Sequence, residues 1–400
     1  MADPVSHPWL TIVGLGEDGA EGLPPASLKA LENAKIIMGA KRHLGLLPDV
    51  DADLVEWPVP FADGISVLQG FLGQETVVLA SGDPFWHGAG GALLDIFDQK
   101  EVRVLPGVSS LSLAAAQLGW PLEKTPCLGL HAAPFERLRP LLAEGRCVFC
   151  TVRDGDAVKA LGAWLDGAGF GRSQVHILEA LGGPRERVRT AQTSNIPADI
   201  EHPVLVGLNV CGDGPALPLA SGRPDAFFDN DGQITKSPIR AMTLSALAPT
   251  FGEHLWDIGG GSGSIGIEWC LADASLSATI FEVDSARSKR IATNAHSLGV
   301  SVDVVTGSAP ETLRDKRAPD VIFIGGGSSA EMLDWIWANV PEGTRLVANG
   351  VTLEAEALLA TWHREKGGKL LRIDLSEAAA LGSKRGWKAS YPIVQWSVTL

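Results

Sequence analysis

The sequence predicts an α/β protein built mainly on parallel sheets, and three observations carry that expectation. Short apolar runs alternate with amphipathic stretches from one end to the other, the rhythm of strand–helix–strand units. Glycine turns follow the apolar runs where a strand would hand over to a helix, as at Gly14-Leu-Gly16 and Gly259-Gly-Gly261. The rhythm breaks once, over 212–233, where half the residues are Gly, Pro or Asp, and then restarts. Two domains are therefore expected, 1–211 and 234–400, joined by a linker at 212–233.

Taken in order, the β-branched run at 10–13 reads as a strand and 26–34 as a helix. A strand at 76–80 precedes a helix at 88–99, and a strand at 102–105 precedes a helix at 110–118. The apolar run 204–210 closes the first domain as a strand. Beyond the linker come a strand at 253–258, a helix at 264–272, a strand at 278–282 and a helix at 285–298. Residues 321–327 close a fourth strand of this second set, and 390–400 alternate as an antiparallel last strand would.

Composition excludes several classes. A 45% hydrophobic chain with 20% charged residues is neither disordered nor fibrous. The net charge is -14 and neither half is basic, so no nucleic-acid partner is expected. The start of the chain lacks a basic and an apolar region, and the longest uncharged run, 104–122, is broken by Pro-Gly and Gly-Trp-Pro. No membrane partner is expected and the cytoplasm is the default location. Five cysteines, an odd and sparse set, read as free thiols. The Cys147-x-x-Cys150 pair sits in a strand-like run that points the two to opposite faces, so no metal site is expected. Twelve tryptophans and the high apolar fraction leave area for an interface, making a homo-oligomer an expectation.

The sharpest motif is Trp256-Asp257-Ile-Gly259-Gly-Gly261-Ser-Gly263, between a strand and a helix. Two cofactor patterns overlap there. Gly261-Ser-Gly263-Ser-Ile-Gly266 with Glu282 downstream fits a dinucleotide fingerprint. Asp257-x-Gly259-x-Gly261-x-Gly263 fits the glycine loop of S-adenosyl-L-methionine-dependent methyltransferases. Context favours the second. Asp257 at a strand end can face the ammonium of that cofactor and would repel a pyrophosphate. Glu282 ends the next strand and can take both ribose hydroxyls, and Ser308-Ala309 follows the third, where the adenine would sit. Many such enzymes carry Asp where Ser308 stands. A dehydrogenase using the same loop is the alternative, and a cofactor-sensing protein without turnover is a third class.

Upstream, Lys236 and Arg240 in Ile234-Thr-Lys-Ser-Pro-Ile-Arg240 are candidates for clamping a substrate carboxylate. In the first domain, Gly14 and Gly16 follow one strand, and Gly82-Asp83-Pro84 follows another as a rigid turn presenting a carboxylate. Pro106-Gly-Val-Ser109-Ser110 follows a third, with hydroxyls placed to cap a helix. Arg185, Arg187 and Arg189 form a basic loop region. The nine histidines are scattered, and His87, beside Gly82-Asp83, reads as structural.

These segments, in this order, resemble the tetrapyrrole methylase family, whose hallmarks look like Val13-Gly-Leu-Gly16, Gly82-Asp-Pro84 and Pro106-Gly-Val-Ser-Ser110 here. The resemblance covers 10–210 and implies two α/β subdomains with S-adenosyl-L-methionine bound between them, so it makes Gly14, Gly16, Gly82, Asp83, Ser109 and Ser110 expected cofactor contacts. Residues 234–400 are similar to the class I decarboxylating corrin methyltransferases, with Asp257, Gly259, Gly261, Gly263, Glu282, Ser308 and Ala309 toward the cofactor. The fused order resembles the bifunctional corrin methyltransferases of cobalamin biosynthesis. It implies a small-molecule tetrapyrrole substrate, C5 methylation by the first domain, and C15 methylation with loss of CO2 from the C12 acetate by the second. The basic residues would hold the substrate's carboxylates.

Overall fold

The computed structural model describes residues 8–86 and 88–400, so His87 lies outside the described residues. The chain divides into two compact units. One runs through Phe135 and resumes over Leu141–Pro215; the other comprises Glu136–Pro140 and Ala216–Leu400.

The first unit holds two five-stranded sheets. In the first, β1 (Leu10–Leu15), β2 (Ile36–Gly39), β3 (Asp53–Glu56), β4 (Thr76–Ser81) and β5 (Val102–Leu105) lie in the order β3-β2-β4-β1-β5, all parallel. β1 is apolar except at Thr11, as suits a strand covered on both faces: Ile12 packs in one cluster with Leu10 and Val78, Val13 in another with Ile37 and Leu79. The second sheet contains β6 (Cys127–Gly129), β7 (Cys147–Thr151), β8 (Gln174–Glu179), β9 (Arg187–Gln192) and β10 (Val204–Asn209), ordered β6-β7-β10-β8-β9. Only β6–β7 is parallel here; the other pairings are antiparallel, against the expectation of mainly parallel sheets. The cause is the connection: β8 and β9 are joined by a loop too short for a crossover helix.

The second unit is a seven-stranded sheet of β11 (His254–Ile258), β12 (Ser277–Glu282), β13 (Asp303–Thr306), β14 (Val321–Ile324), β15 (Arg345–Gly350), β16 (Lys369–Ile373) and β19 (Ile393–Thr399). Between the last two a separate hairpin forms from β17 (Ser376–Leu381) and β18 (Lys384–Ala389). The order is β13-β12-β11-β14-β15-β19-β16, parallel as far as β15, with β19 antiparallel to both neighbours as its alternation predicts. Trp256 and Ile258 pack on one face with Trp396 and Leu333, Leu255 on the other with Trp269 and Phe323. Strand order reverses between β11 and β14, and a crevice opens beyond the strand ends at such a reversal.

The expected linker is where sequence and structure differ most. The division falls at Pro215, and most of 217–233 packs on the second unit. Leu217 and Phe228 are buried with Ile267 and Ala295. Backbone N–H groups of Gly222 and Arg223 donate to Glu268 at 2.8 and 2.9 Å, and Asp231 pairs with Arg287 at 2.8 Å. Gly, Pro and Asp mark irregular chain, but irregular chain can still be anchored by its charges and aromatic rings.

Candidate active sites

In the first unit, the ends of β1, β4 and β5 meet. Gly14 packs so close to the neighbouring turns that a Cβ there would overlap the Gly82 carbonyl oxygen and the Gly107 nitrogen. Gly82 itself has φ +51°, and its carbonyl accepts the Gly107 N–H at 3.0 Å. Gly16 lies two residues beyond Gly14, and a Cβ there would overlap the Asp18 carboxylate. Asp83 is half-buried and uses Oδ1 to accept the Phe85 N–H at 2.9 Å, which stiffens the turn. Ser109 caps the helix Ser110–Leu118 through Ser112 N–H at 3.0 Å, while Ser110 begins that helix and is exposed.

A polar cluster beside these turns went unread in the sequence. Ser81, the last residue of β4, is hydrogen-bonded to Arg42 at 3.0 Å and to His43 Nε2 at 2.9 Å. Arg42 pairs with Glu17, and Arg185 reaches the same carboxylate at 3.1 Å. Burial, then the Arg42 charge, pushes the His43 imidazole down to about 4, so it is neutral near pH 7. Only the basic run Lys41-Arg-His43 signals this group in the sequence. Arg187 and Arg189, expected to meet substrate, instead hold the buried Glu179 at 2.7 and 2.9 Å and Asp199 at 2.9 and 2.7 Å. A buried carboxylate needs such partners, which takes both arginines out of use as free cations.

In the second unit a cavity of about 1770 Å³ opens at the β11/β14 reversal. Asp257, Gly259, Gly261 and Glu282 line it with Ser308 and Ala309. Gly259 (φ +76°) must be glycine because its Cβ would press on the Gly326 backbone at 2.7 Å. Gly263 does not line the cavity; it packs inward, its Cβ position 2.8 Å from Ile291, and serves helix–sheet contact. Asp257 is 1% exposed and accepts the Gly266 N–H at 2.9 Å. Burial pushes its carboxyl up to about 7; the Gly266 bond opposes the shift and the Glu282 charge adds to it. Glu282 accepts N–H groups of Gly261 at 2.7 Å and Asp284 at 3.0 Å.

Of the two clamp candidates, Lys236 lines the cavity, exposed and 3.4 Å from Asp225. Arg240 is not available for substrate. It is fully buried, 2.7 Å from Glu268 and 3.2 Å from Asp225. It also bonds the Thr235 and Arg223 carbonyls and lies 4.8 Å over the Phe228 ring. Its donors are spent joining the chain before β11 to the helix Ser264–Cys270. Asn349, Lys388 and Tyr391 also line the cavity and were not read from the sequence.

The donor set fits a molecule with one ammonium and vicinal hydroxyls: a carboxylate at each of two neighbouring strand ends and close-approach glycines between them. Residues 9–197 match the Tetrapyrrole (Corrin/Porphyrin) Methylases and 226–400 the Precorrin methyltransferase domain. A precorrin-6Y C(5,15)-methyltransferase [decarboxylating] from Sinorhizobium sp is 44% identical over 99% of this chain and 97% of its own length. The chain belongs to the precorrin-6Y C5,15-methyltransferase (decarboxylating) family. Two shorter Salmonella typhimurium proteins divide that chemistry by name. A cobalt-precorrin-7 C(5)-methyltransferase is 28% identical over 50% of this chain and 98% of its own. A cobalt-precorrin-6B C(15)-methyltransferase (decarboxylating) is 30% identical over 40% of this chain and 85% of its own. Among the described residues, no helix is long and apolar enough to cross a membrane.

Proposed function

We propose that this member of the precorrin-6Y C5,15-methyltransferase family methylates a precorrin at C5 with its first unit. Its second unit methylates C15 and removes CO2 from the C12 acetate, and both use S-adenosyl-L-methionine. The observation carrying the reading is the pair of carboxylates, Asp257 and Glu282, on neighbouring strand ends lining one cavity with the glycine turn. A pyrophosphate at the glycine turn would meet the Asp257 carboxylate, which disfavours a dinucleotide.

Bound at this wall, the cofactor supplies an electrophilic methyl group on a sulfonium. Asp257 holds its ammonium, Glu282 its ribose hydroxyls, and Ser308 and Ala309 border the base. In the first unit Gly14, Gly82 and Asp83 shape the corresponding turn, with Ser109 and Ser110 at its rim. The chain's task is alignment of a carbon nucleophile. Lys236 suits a substrate carboxylate that is retained, because a cation fixed on the departing one would stabilise the ground state.

The test is incubation of the full chain with S-adenosyl-L-methionine, labelled in the methyl group, and a precorrin. Two labelled methyls at C5 and C15 and loss of one CO2 support the reading. A thermal shift with NADPH and none with S-adenosylhomocysteine would overturn it in favour of a dehydrogenase.

A further inference from the structure

The cavity of the second unit, at about 1770 Å³, exceeds the ~300–1,000 Å³ of a pocket for one small ligand. Its lining residues fall into two chemically different sets. One is the turn-and-carboxylate set around Asp257 and Glu282. The other comes from the hairpin β17–β18 and the chain leading into and out of it, whose base is closed by Ser390 N–H on the Leu375 carbonyl at 2.9 Å. Both faces of this hairpin border the cavity: Ala379 shares one with Lys388, and Ala378 and Ala389 the other, with Tyr391 on the chain beyond.

Charge singles out Lys388. Three cations line the cavity: Lys236, Arg287 and Lys388. Lys236 stands 3.4 Å from Asp225, and Arg287 stands 2.8 Å from Asp231. Lys388 has no ion pair among the described residues. Tyr391 is the only tyrosine of the chain and is 83% exposed, an aromatic ring left open at a cavity wall. A tetrapyrrole presents flat apolar faces with carboxylates at its rim. Small side chains admit a flat face, an aromatic ring packs on it, and a lysine takes a rim carboxylate.

We propose that the hairpin wall is the macrocycle subsite of the C15 reaction, Lys388 binding a substrate carboxylate and Tyr391 lying against the ring system. This rests on the assignment of C15 chemistry to the second unit. Glu377, opposite Lys388 in the hairpin register, lines the same wall and repels carboxylates, so it narrows where the rim can sit.

The experiment uses the full chain and its Lys388→Ala, Lys388→Arg, Tyr391→Ala and Glu377→Gln variants. Direct titration with a precorrin is run beside C15 methylation kinetics and titration with S-adenosylhomocysteine. Lys388→Ala is expected to raise Kd and KM for the tetrapyrrole about ten-fold, with S-adenosylhomocysteine affinity and C5 methylation unchanged. Arginine at 388 restores most of the loss, Tyr391→Ala raises KM, and Glu377→Gln lowers it. Unchanged tetrapyrrole Kd and KM in both alanine variants would overturn the proposal. So would an oligomer that dissociates in Tyr391→Ala while KM holds, since the wall would then be an interface between copies. Absence of C15 methylation in the unmodified chain would count against the assigned reaction instead, and the direct titration would still decide whether the hairpin binds the macrocycle.

Discussion

The carboxylates of Asp257 and Glu282 stand on register neighbours, β11 and β12, at their carboxyl ends; Glu282 accepts a backbone N–H of the glycine turn at Gly261, and Asp257 accepts one from Gly266 in the helix that follows it. Both are nearly closed to solvent, at 1% and 4% exposure. Burial pushes the Asp257 carboxyl up to about 7, and the Glu282 charge adds to the shift.

Cofactor binding to the second unit should therefore depend on pH. An ammonium beside Asp257 favours the ionised form. Below about pH 7 binding must first remove a proton from Asp257, and above it no such cost exists. Affinity for S-adenosylhomocysteine at this site is expected to rise between pH 6 and 8, with proton release near pH 6 measured calorimetrically in buffers of different ionisation enthalpy. The stability of the ligand-free chain should run the other way. The folded carboxyl titrates above its ordinary 3.8, so the folded state binds the extra proton and this contribution fades as pH rises from about 4 to 7. Asp257→Asn should flatten that slope in thermal melts.

At limiting cofactor, Asp257→Ala should cut C15 methylation at least about ten-fold and leave C5 methylation intact. Loss of a charge-assisted contact of ~1.5–3 kcal/mol corresponds to roughly ten- to a hundred-fold weaker cofactor binding. Mass spectrometry and NMR of the labelled product show which carbon gained the methyl. Equal activity at both carbons would show that the carboxylate is dispensable.

Calorimetric titration with S-adenosylhomocysteine should reach two equivalents per chain. Gly14→Ala should remove one of them, because its methyl group collides with the Gly82 carbonyl at the meeting of three strand ends. Retention of both equivalents would mean that this turn lies apart from the cofactor.

Where the chain is cut should matter. A second unit beginning at Ala216 keeps Arg223 and Asp225, the partners of Glu268 and Arg240. One beginning at Ile234 leaves that buried pair short of them. Arg240→Ala takes the fully buried guanidinium from Glu268, leaving it Arg223 and two backbone N–H groups, and should cost about 3 kcal/mol of stability, read as a lower urea midpoint. A variant of unchanged stability with a raised KM would restore the clamp role.

The turn residues were legible because their signal is local. A strand, an acid, spaced glycines and a second acid one strand later are contiguous in sequence, and parallel pairing of β11 with β12 brings the two acids to one wall. Gly14, Gly82 and Asp83 were legible for the same reason, each lying at the end of an apolar run. Arg240 was misread because its meaning lies in Glu268, 28 residues on, and in Asp225, 15 residues back. Arg187 and Arg189 were misread because Glu179 pairs with them only once β8 and β9 are laid antiparallel.

By itself the sequence determined the two α/β halves, the parallel core strands and the strand-end turns, since periodicity and glycine placement act over a few residues. Tertiary structure alone decided which charges are free. Burial turned Arg240 and Glu268 into an internal tie, bound the chain from Leu217 to Gln233 to the second unit, and left Lys388 without an ion pair among the described residues at the cavity wall. A charge is spent or available according to what folds against it, and that depends on contacts between residues far apart in the chain.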